Sequence, residues 1–362
     1  MRIIHVFRSP VGGLFRHVRD VVRAQSALGH DIGILCDSST GGAEAEQVLA
    51  NLQFLCRLGL RRHPISTYPT SADIKINNIL TNWAREIHVD VLHGHGAKGG
   101  IHARLAARRL GIPGVYTPHG GSLHYDWLKP PGALFLAAEK AFRFKGMGTL
   151  FVCEFERNLY ARKIGLSGHP SKVVYNGLWP EEFATRLLAP GATDFLFVGE
   201  MRMLKGVDIL LQSLALFDPN SRPSLTLVGD GRDLETFRAL SLSLGLGPHV
   251  QFAGRKPMQE AMKMGKVLVM PSRHESFPYV ILEAMAAQIP IIASNVGGIA
   301  EALPAPCLVP PEDVAALKAA MERAMRGREA TQLAEELQES AKQNYNAARM
   351  VDGICAFYGA LH

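Results

Sequence analysis

The sequence predicts an α/β protein built from two doubly wound parallel sheets in succession. Three observations predict it. Short apolar runs of strand length alternate with stretches whose apolar residues recur at helical spacing. That plan fills the first half of the chain and is repeated in the second. The halves meet in residues 176–193, where Trp179-Pro180 and Pro190-Gly191 break regular structure. At 362 residues, each half is long enough to bury its own core.

Residues 3–7 read as an apolar strand and Val11-Gly12-Gly13 as a loop. Leu14, Val18, Val21, Gln25 and Leu28 then lie along one helix that ends at Gly29, and residues 32–36 form a second strand. Further strands are expected at 89–92, 114–116, 150–152 and 173–175, with helical patterns between them. In the second half the strands are 195–198, 225–228, 250–252, 267–270 and 291–293. Residues 347–361 are helical in pattern. The expected domains are 1–178 and 179–345, followed by a C-terminal helix at 346–362.

No apolar run reaches the length of a membrane span, and the N-terminal strand lacks a signal peptide's longer apolar region, so a cytoplasmic protein is expected. Cys36, Cys56, Cys153, Cys307 and Cys355 are scattered and form no C-x-x-C pair. They suggest neither a disulfide framework nor a zinc site. The formal charge is +6, and the excess of basic residues falls within residues 1–180. Arg61-Arg62, Arg108-Arg109, Arg143 with Lys145, and Arg162-Lys163 could meet anionic lipid headgroups or a phosphorylated acceptor, or could be solvated helix faces. No nucleic-acid motif accompanies them, so nucleic acid is not an expected partner.

The most informative stretch is 271–301. Glu275 follows the strand at 267–270, and Glu283 stands eight residues later on a helix, close to a whole number of turns away. The two carboxylates should therefore turn toward one edge. Val296-Gly297-Gly298 then makes a loop whose amides suit a phosphate. This stretch resembles the E-x7-E signature of retaining glycosyltransferases of family 4, and the resemblance extends over nearly the whole chain. It implies the GT-B fold, with two facing Rossmann-like domains, a cleft between them, and a C-terminal helix that crosses back onto the N-terminal domain. It also implies that Glu275 contacts the donor sugar's hydroxyls and that Glu283 holds the ribose. Ionised carboxylates suit such hydroxyl donors. Phe277 in the same stretch is placed with the donor-binding residues.

Other motifs take their roles from the same resemblance. Residues 199–206 follow a strand and precede a helix, which sets Arg202 and Lys205 at the donor diphosphate, where helix amides add to the side-chain charge. The family often has arginine directly after the glycine; here that residue is Glu200, and Arg202 is read as its substitute. Gly12-Gly13 resembles the family's N-terminal glycine loop, and no G-x-G-x-x-G stands at that first strand to suggest a dinucleotide oxidoreductase. Arg16 and His17 on the following helix face either the cleft or solvent. His119, in Thr117-Pro118-His119-Gly120-Gly121, resembles the histidine set against the donor sugar. Gly229-Asp230 and Gly254-Arg255 occupy strand ends where the family places base and ribose. His93 and His95 lack a third metal ligand nearby in sequence and are read as structural or cleft-lining.

The expected activity is transfer of a sugar from a UDP- or GDP-sugar to an acceptor hydroxyl on a glycan or lipid-linked acceptor. No D-x-D sequence occurs, so no divalent metal and no cofactor are expected. Residues 133–145 could form an interfacial helix that brings the enzyme to the inner face of a membrane, or an ordinary core-facing helix. The alternatives are another GT-B-like enzyme, such as a sugar-nucleotide epimerase or a phosphorylase, and a non-catalytic sugar-nucleotide-binding subunit. Nothing marks the lysine that a phosphorylase cofactor needs. The subunit reading draws on Glu200.

Overall fold

The computed structural model describes residues 1–128, 132–184, 187–326 and 329–361. The chain divides into two compact units: residues 1–176 joined by the C-terminal segment from Ala347, and residues 177–346. Both are α/β with all-parallel sheets, the class that the alternating pattern predicts.

The first unit runs β1 (Arg2–Phe7), α1 (Gly12–Ala27), β2 (Asp31–Asp37), α2 (Gly42–Gln53), β3 (Gly59–His63), α3 (Ala72–Glu86), β4 (Val91–His95), α4 (Gly96–Leu110), β5 (Gly114–Thr117), α5 (Gly132–Ala141), β6 (Met147–Phe151), α6 (Glu154–Lys163) and β7 (Ser171–Val173). The sheet order is β3-β2-β1-β4-β5-β6-β7. Strands β4, β5 and β6 are buried along their whole length, as a sheet covered on both faces requires. The order reverses between β1 and β4, which is where an open α/β sheet leaves a crevice at its strand ends.

Helix α4 lies almost against the sheet. A side chain on Gly99 would run into the Val6 carbonyl oxygen, and one on Gly94 into that of Gly99. Only glycine allows that approach. Beneath it, Arg104 is buried with its guanidinium 4.2 Å from the Tyr116 ring centroid and bonded to Glu139 Oε2 at 2.9 Å. The other Glu139 oxygen accepts the hydroxyls of Tyr116 and Ser122, both at 2.8 Å.

The second unit runs β8 (Thr193–Val198), α7 (Val207–Ala215), β9 (Leu225–Val228), α8 (Leu234–Ser243), β10 (Val250–Gly254), α9 (Met258–Ala261), β11 (Gly265–Met270), α10 (Tyr279–Ala286), β12 (Ile291–Ser294), α11 (Ile299–Ala302), β13 (Leu308–Val309), α12 (Val314–Arg326) and α13 (Glu329–Asn344). Its order, β10-β9-β8-β11-β12-β13, reverses between β8 and β11. Phe195, Phe197, Leu210, Leu227, Phe237 and Met321 belong to its core. Helix α14 (Ala347–Gly359) then returns to the first unit. It packs against α1, and Tyr358 reaches His93 with a 2.6 Å hydrogen bond.

The structure adds two strands that the apolar pattern does not announce. Edge strand β3 carries Arg61, Arg62 and His63, and β13 has only two residues. It also shortens the helix expected over 133–145. That helix ends at Ala141, and Phe144 turns inward against the first unit's core, with the Arg108 guanidinium 4.1 Å from its ring centroid. Phe144 is therefore not part of an apolar helix face.

Glu139→Ala should leave Arg104 buried without its counter-charge and lower stability by about 3–5 kcal/mol. Urea unfolding measures this, and a loss below about 1 kcal/mol would contradict the role given to the pair.

Candidate functional site

In the second unit, chemistry gathers where β8 and β11 end. Gly199 to Gly206 leave β8, turn once through Met203–Lys205, and enter α7 with its first amides unused by helix bonding. Lys205 Nζ donates to Glu275 Oε1 at 2.6 Å, and Ser272 Oγ donates to the same oxygen at 2.8 Å. Both ion-pair partners are largely covered, with side-chain exposures of 25% for Lys205 and 10% for Glu275. Among the described residues nothing donates to Glu275 Oε2. The site thus presents one carboxylate oxygen, a cation and a helix N-terminus together, a set suited to a sugar hydroxyl beside an anionic phosphate.

Backbone contacts hold this arrangement. A side chain on Gly206 would strike the Pro271 carbonyl, one on Gly229 that of Gly199, and one on Gly297 that of Glu275. All three have positive φ. Gly298 N donates to Ser276 O at 2.7 Å. That bond corrects an expectation: the Gly298 amide is spent on holding the Glu275 loop and does not face outward for a phosphate.

The remaining expected residues are less tightly gathered. Arg202 stands 3.5 Å from Glu200 and is 37% exposed, so it does not join the Lys205–Glu275 pair. Glu283 is buried on α10. Phe277 is 5% exposed, with its ring 5.4 Å from that of Tyr345. Asp230 and Arg255 are exposed at the ends of β9 and β10, 3.7 Å apart, with Gly229 N bonded to Gly254 O. Gly12, at φ +64°, and Gly13 open α1 and are exposed.

Sequence reading missed Arg273. Its guanidinium takes both oxygens of Asp208 at 2.8 and 2.7 Å, bonds Glu312 at 2.9 Å, and donates to the Met203 carbonyl, while its own amide donates to Leu204 O. It clamps the Glu275 loop to the Lys205 turn and the start of α7. An arginine between Ser272 and His274 carries no motif, so only the fold could reveal it.

In the first unit, His119 sits after β5 with φ +51°, followed by Gly120 and Gly121, also at positive φ. A non-glycine residue in that region is strained and needs support. Glu156 provides it by accepting Gly120 N at 2.5 Å and Val152 N at 3.1 Å. The histidines read as an isolated pair belong to a cluster of five: His5, His17, His93, His95 and His119. His95 Nε2 lies 3.0 Å from His5 Nδ1, and His95 Nδ1 lies 3.2 Å from His119 Nε2. The neighbours absent nearby in sequence come from β1, α1 and the loop after β5. Residues 94–99 also match G-x-G-x-x-G, but at the fourth strand, where the first and third glycines serve close packing of α4. His95 and His119 line a cavity of about 300 Å³ together with Arg8, Tyr68, Lys98 and Tyr125. Arg16 on α1 pairs with Asp20 at 3.4 Å.

Two family models together match residues 11–344: "Glycosyltransferase Family 4" over residues 11–182 and "Glycosyl transferases group 1" over residues 180–344. The chain belongs to the GT-B glycosyltransferases. An uncharacterized glycosyltransferase of Methanocaldococcus jannaschii is 28% identical over 80% of this chain and 77% of its own length. Glycogen synthase of Mycobacterium tuberculosis is 26% identical over 86% of this chain and 82% of its own. The crystal structure of HepE from Anabaena in complex with UDP-glucose superposes with a TM-score of 0.81 at 19% identity, covering 99% of this chain and all of the other.

In this GT-B glycosyltransferase the histidine cluster is kept neutral. Burial pushes His5 and His17 down to about 4, against the bonds to Gln25 and Asn176 that favour charge. Burial, reinforced by neighbouring histidines, holds His93, His95 and His119 well below the ordinary value. Unfolded, the same groups titrate near 6.5. Between those values the unfolded chain binds protons that the folded chain refuses, so stability is lost as pH falls from about 6.5 toward 4. The slope is about 1.4 kcal/mol per pH unit for each such histidine. Urea midpoints should drop between pH 7 and pH 5; equal midpoints would contradict a neutral, buried cluster.

Proposed function

We propose that this protein is a retaining glycosyltransferase. It moves a sugar from a nucleoside diphosphate sugar to an acceptor hydroxyl during synthesis of a cell-surface polysaccharide or other glycoconjugate. The observation that carries this reading is the Lys205–Glu275 pair beside the N-terminus of α7. A donor phosphate would draw Lys205 and the helix amides, and Glu275 would turn its carboxylate to the sugar hydroxyls. UDP-sugars are the first donors to test, because HepE was crystallised with UDP-glucose; GDP-sugars fit the same chemistry.

Lys205, the α7 amides and, more loosely, Arg202 would neutralise the departing diphosphate, the work that a metal performs in D-x-D transferases. Transfer is accordingly proposed to need no divalent metal. In the retaining step the acceptor attacks from the leaving group's own side and the departing phosphate takes its proton, so no enzymic nucleophile is required. His119, neutral at physiological pH, would hydrogen-bond a sugar hydroxyl. Glu283 would hold the ribose.

The acceptor is proposed to be a glycan or lipid-linked hydroxyl met at the inner face of a membrane. Among the described residues no helix is long and apolar enough to cross one. Trp127, Leu128 and Leu134 are exposed apolar side chains that support a peripheral contact. Sedimentation with anionic vesicles at low salt should capture the protein, and its absence from the pellet would remove that part of the proposal.

Glu275→Gln and Lys205→Ala should each reduce transfer by about 100-fold or more while leaving the melting temperature near that of the parent. A panel of nucleotide sugars read by calorimetry and product analysis tests both donor and activity. Near-parental rates in both variants would overturn the site. Hydrolysis and transfer both absent with every donor bound would favour the non-catalytic subunit. Turnover lost in chelator and restored by magnesium would overturn metal independence.

A further inference from the structure

The bonds within the histidine cluster have a direction. Gln25 Oε1 accepts from His5 Nε2 at 2.8 Å, so His5 is protonated there and accepts at Nδ1 from His95 Nε2. His95 Nδ1 is then a lone pair, 3.2 Å from His119 Nε2. Separately, Asn176 Oδ1 accepts from His17 Nδ1 at 2.9 Å, which leaves a lone pair on His17 Nε2. That nitrogen is buried and has no hydrogen-bond partner. A buried polar atom left unsatisfied costs stability and asks for an explanation.

One ring nitrogen from each of His17, His95 and His119 lies within 4.8 Å of those of the other two. We propose that these three side chains form a binding site for a zinc-class transition-metal dication, through His17 Nε2, His95 Nδ1 and His119 Nε2. Nitrogens sharing a tetrahedral zinc stand about 3.3 Å apart, a spacing that the His95–His119 edge already has. The other two edges both include His17 and are no longer than 4.8 Å, so a rotation of the His17 ring is the movement that closes them. The far nitrogens of His17 and His95 already donate to Asn176 and His5, the outer-shell arrangement that orients metal-bound imidazoles. The fourth position would open to the 300 Å³ cavity that His95 and His119 line.

A second trio, His5, His93 and His95, also meets the distance criterion but is saturated. Both nitrogens of His5 are bonded, and those of His93 face the hydroxyls of Tyr358 and Thr117 at 2.6 and 2.8 Å. Neutral imidazoles alone select zinc, copper or nickel over magnesium or calcium, so the site is separate from any role of magnesium at the donor phosphates. His17 Nε2 and His95 Nδ1 already offer lone pairs there, and His119, which donates from Nε2 to His95 without metal, would carry its proton on Nδ1 when it binds. Metal on His119 would withdraw it from a sugar, so zinc should inhibit transfer. That consequence, unlike the binding, rests on the reading of His119 given above.

The test is titration of the full-length, chelator-stripped protein with Co²⁺ at pH 7.5, followed by visible absorption, and with Zn²⁺ by calorimetry. One Co²⁺ per chain should give the intense visible bands of a low-coordinate site, and Zn²⁺ should abolish them. His17→Gln should weaken binding at least about 100-fold, and Asn176→Ala about 10- to 100-fold, with melting curves verifying that each is folded. His30→Gln, at a half-buried histidine outside the cluster, should bind like the parent. Absent bands, or parental affinity in either folded variant, would overturn the site. Zinc binding with undiminished transfer would uphold the site and overturn the role of His119.

Discussion

The geometry around the Lys205–Glu275 pair depends on backbone touching backbone. Gly206, Gly229 and Gly297 each stand where any side chain would collide with a carbonyl from a neighbouring strand end: those of Pro271, Gly199 and Glu275. The Gly206–Pro271 contact draws the turn after β8 and the loop after β11 close enough for Lys205 to reach Glu275 across 70 residues of sequence, and the other two pack the neighbouring strand ends against them. Arg273 then ties the same two segments with side-chain bonds to Asp208 and to the Met203 carbonyl. A cation and a carboxylate on loops would otherwise sample many separations. Here the main chain sets the distance, and the ion pair follows from it.

The first unit uses a different device, a polar interior whose groups satisfy one another without charge. Gln25, His5, His95 and His119 form a chain of bonds, and Tyr358 from the C-terminal helix joins it by accepting from the Gln25 amide and bonds His93 beside it. Burial makes a positive imidazole costly, so each ring keeps one donor and one acceptor. The chain leads from the unit's interior to the half-buried His119, whose backbone is held in a strained conformation by the Glu156 carboxylate beneath it.

Much of this was legible in the sequence, and the failures have physical reasons. Buried central strands such as β1, β9 and β11 announce themselves by apolar runs, whereas β3 carries arginines because an edge strand meets water. Glu275, Lys205 and His119 could be singled out because strand-to-loop transitions and motif spacing are local properties. Phe277 packs its ring on Tyr345, 68 positions away, a contact that linear spacing does not show. Arg273 and the histidine cluster were hidden for the same reason. Their partners come from separate strands and helices, and nothing in linear spacing marks a meeting arranged by a parallel sheet.

The C-terminal helix has a consequence for how the protein is made. Residues 177–346 form a continuous stretch and can complete their core as soon as they leave the ribosome, whereas the first unit lacks α14 until the whole second unit has been made. Until then the α1 surface that α14 covers is bare and His93 lacks Tyr358. The usual vectorial order, N-terminal domain first, is therefore inverted. A ribosome stalled just before residue 347 is translated would hold a finished second unit and an unfinished first one, so α14 acts as the latch that completes the first unit.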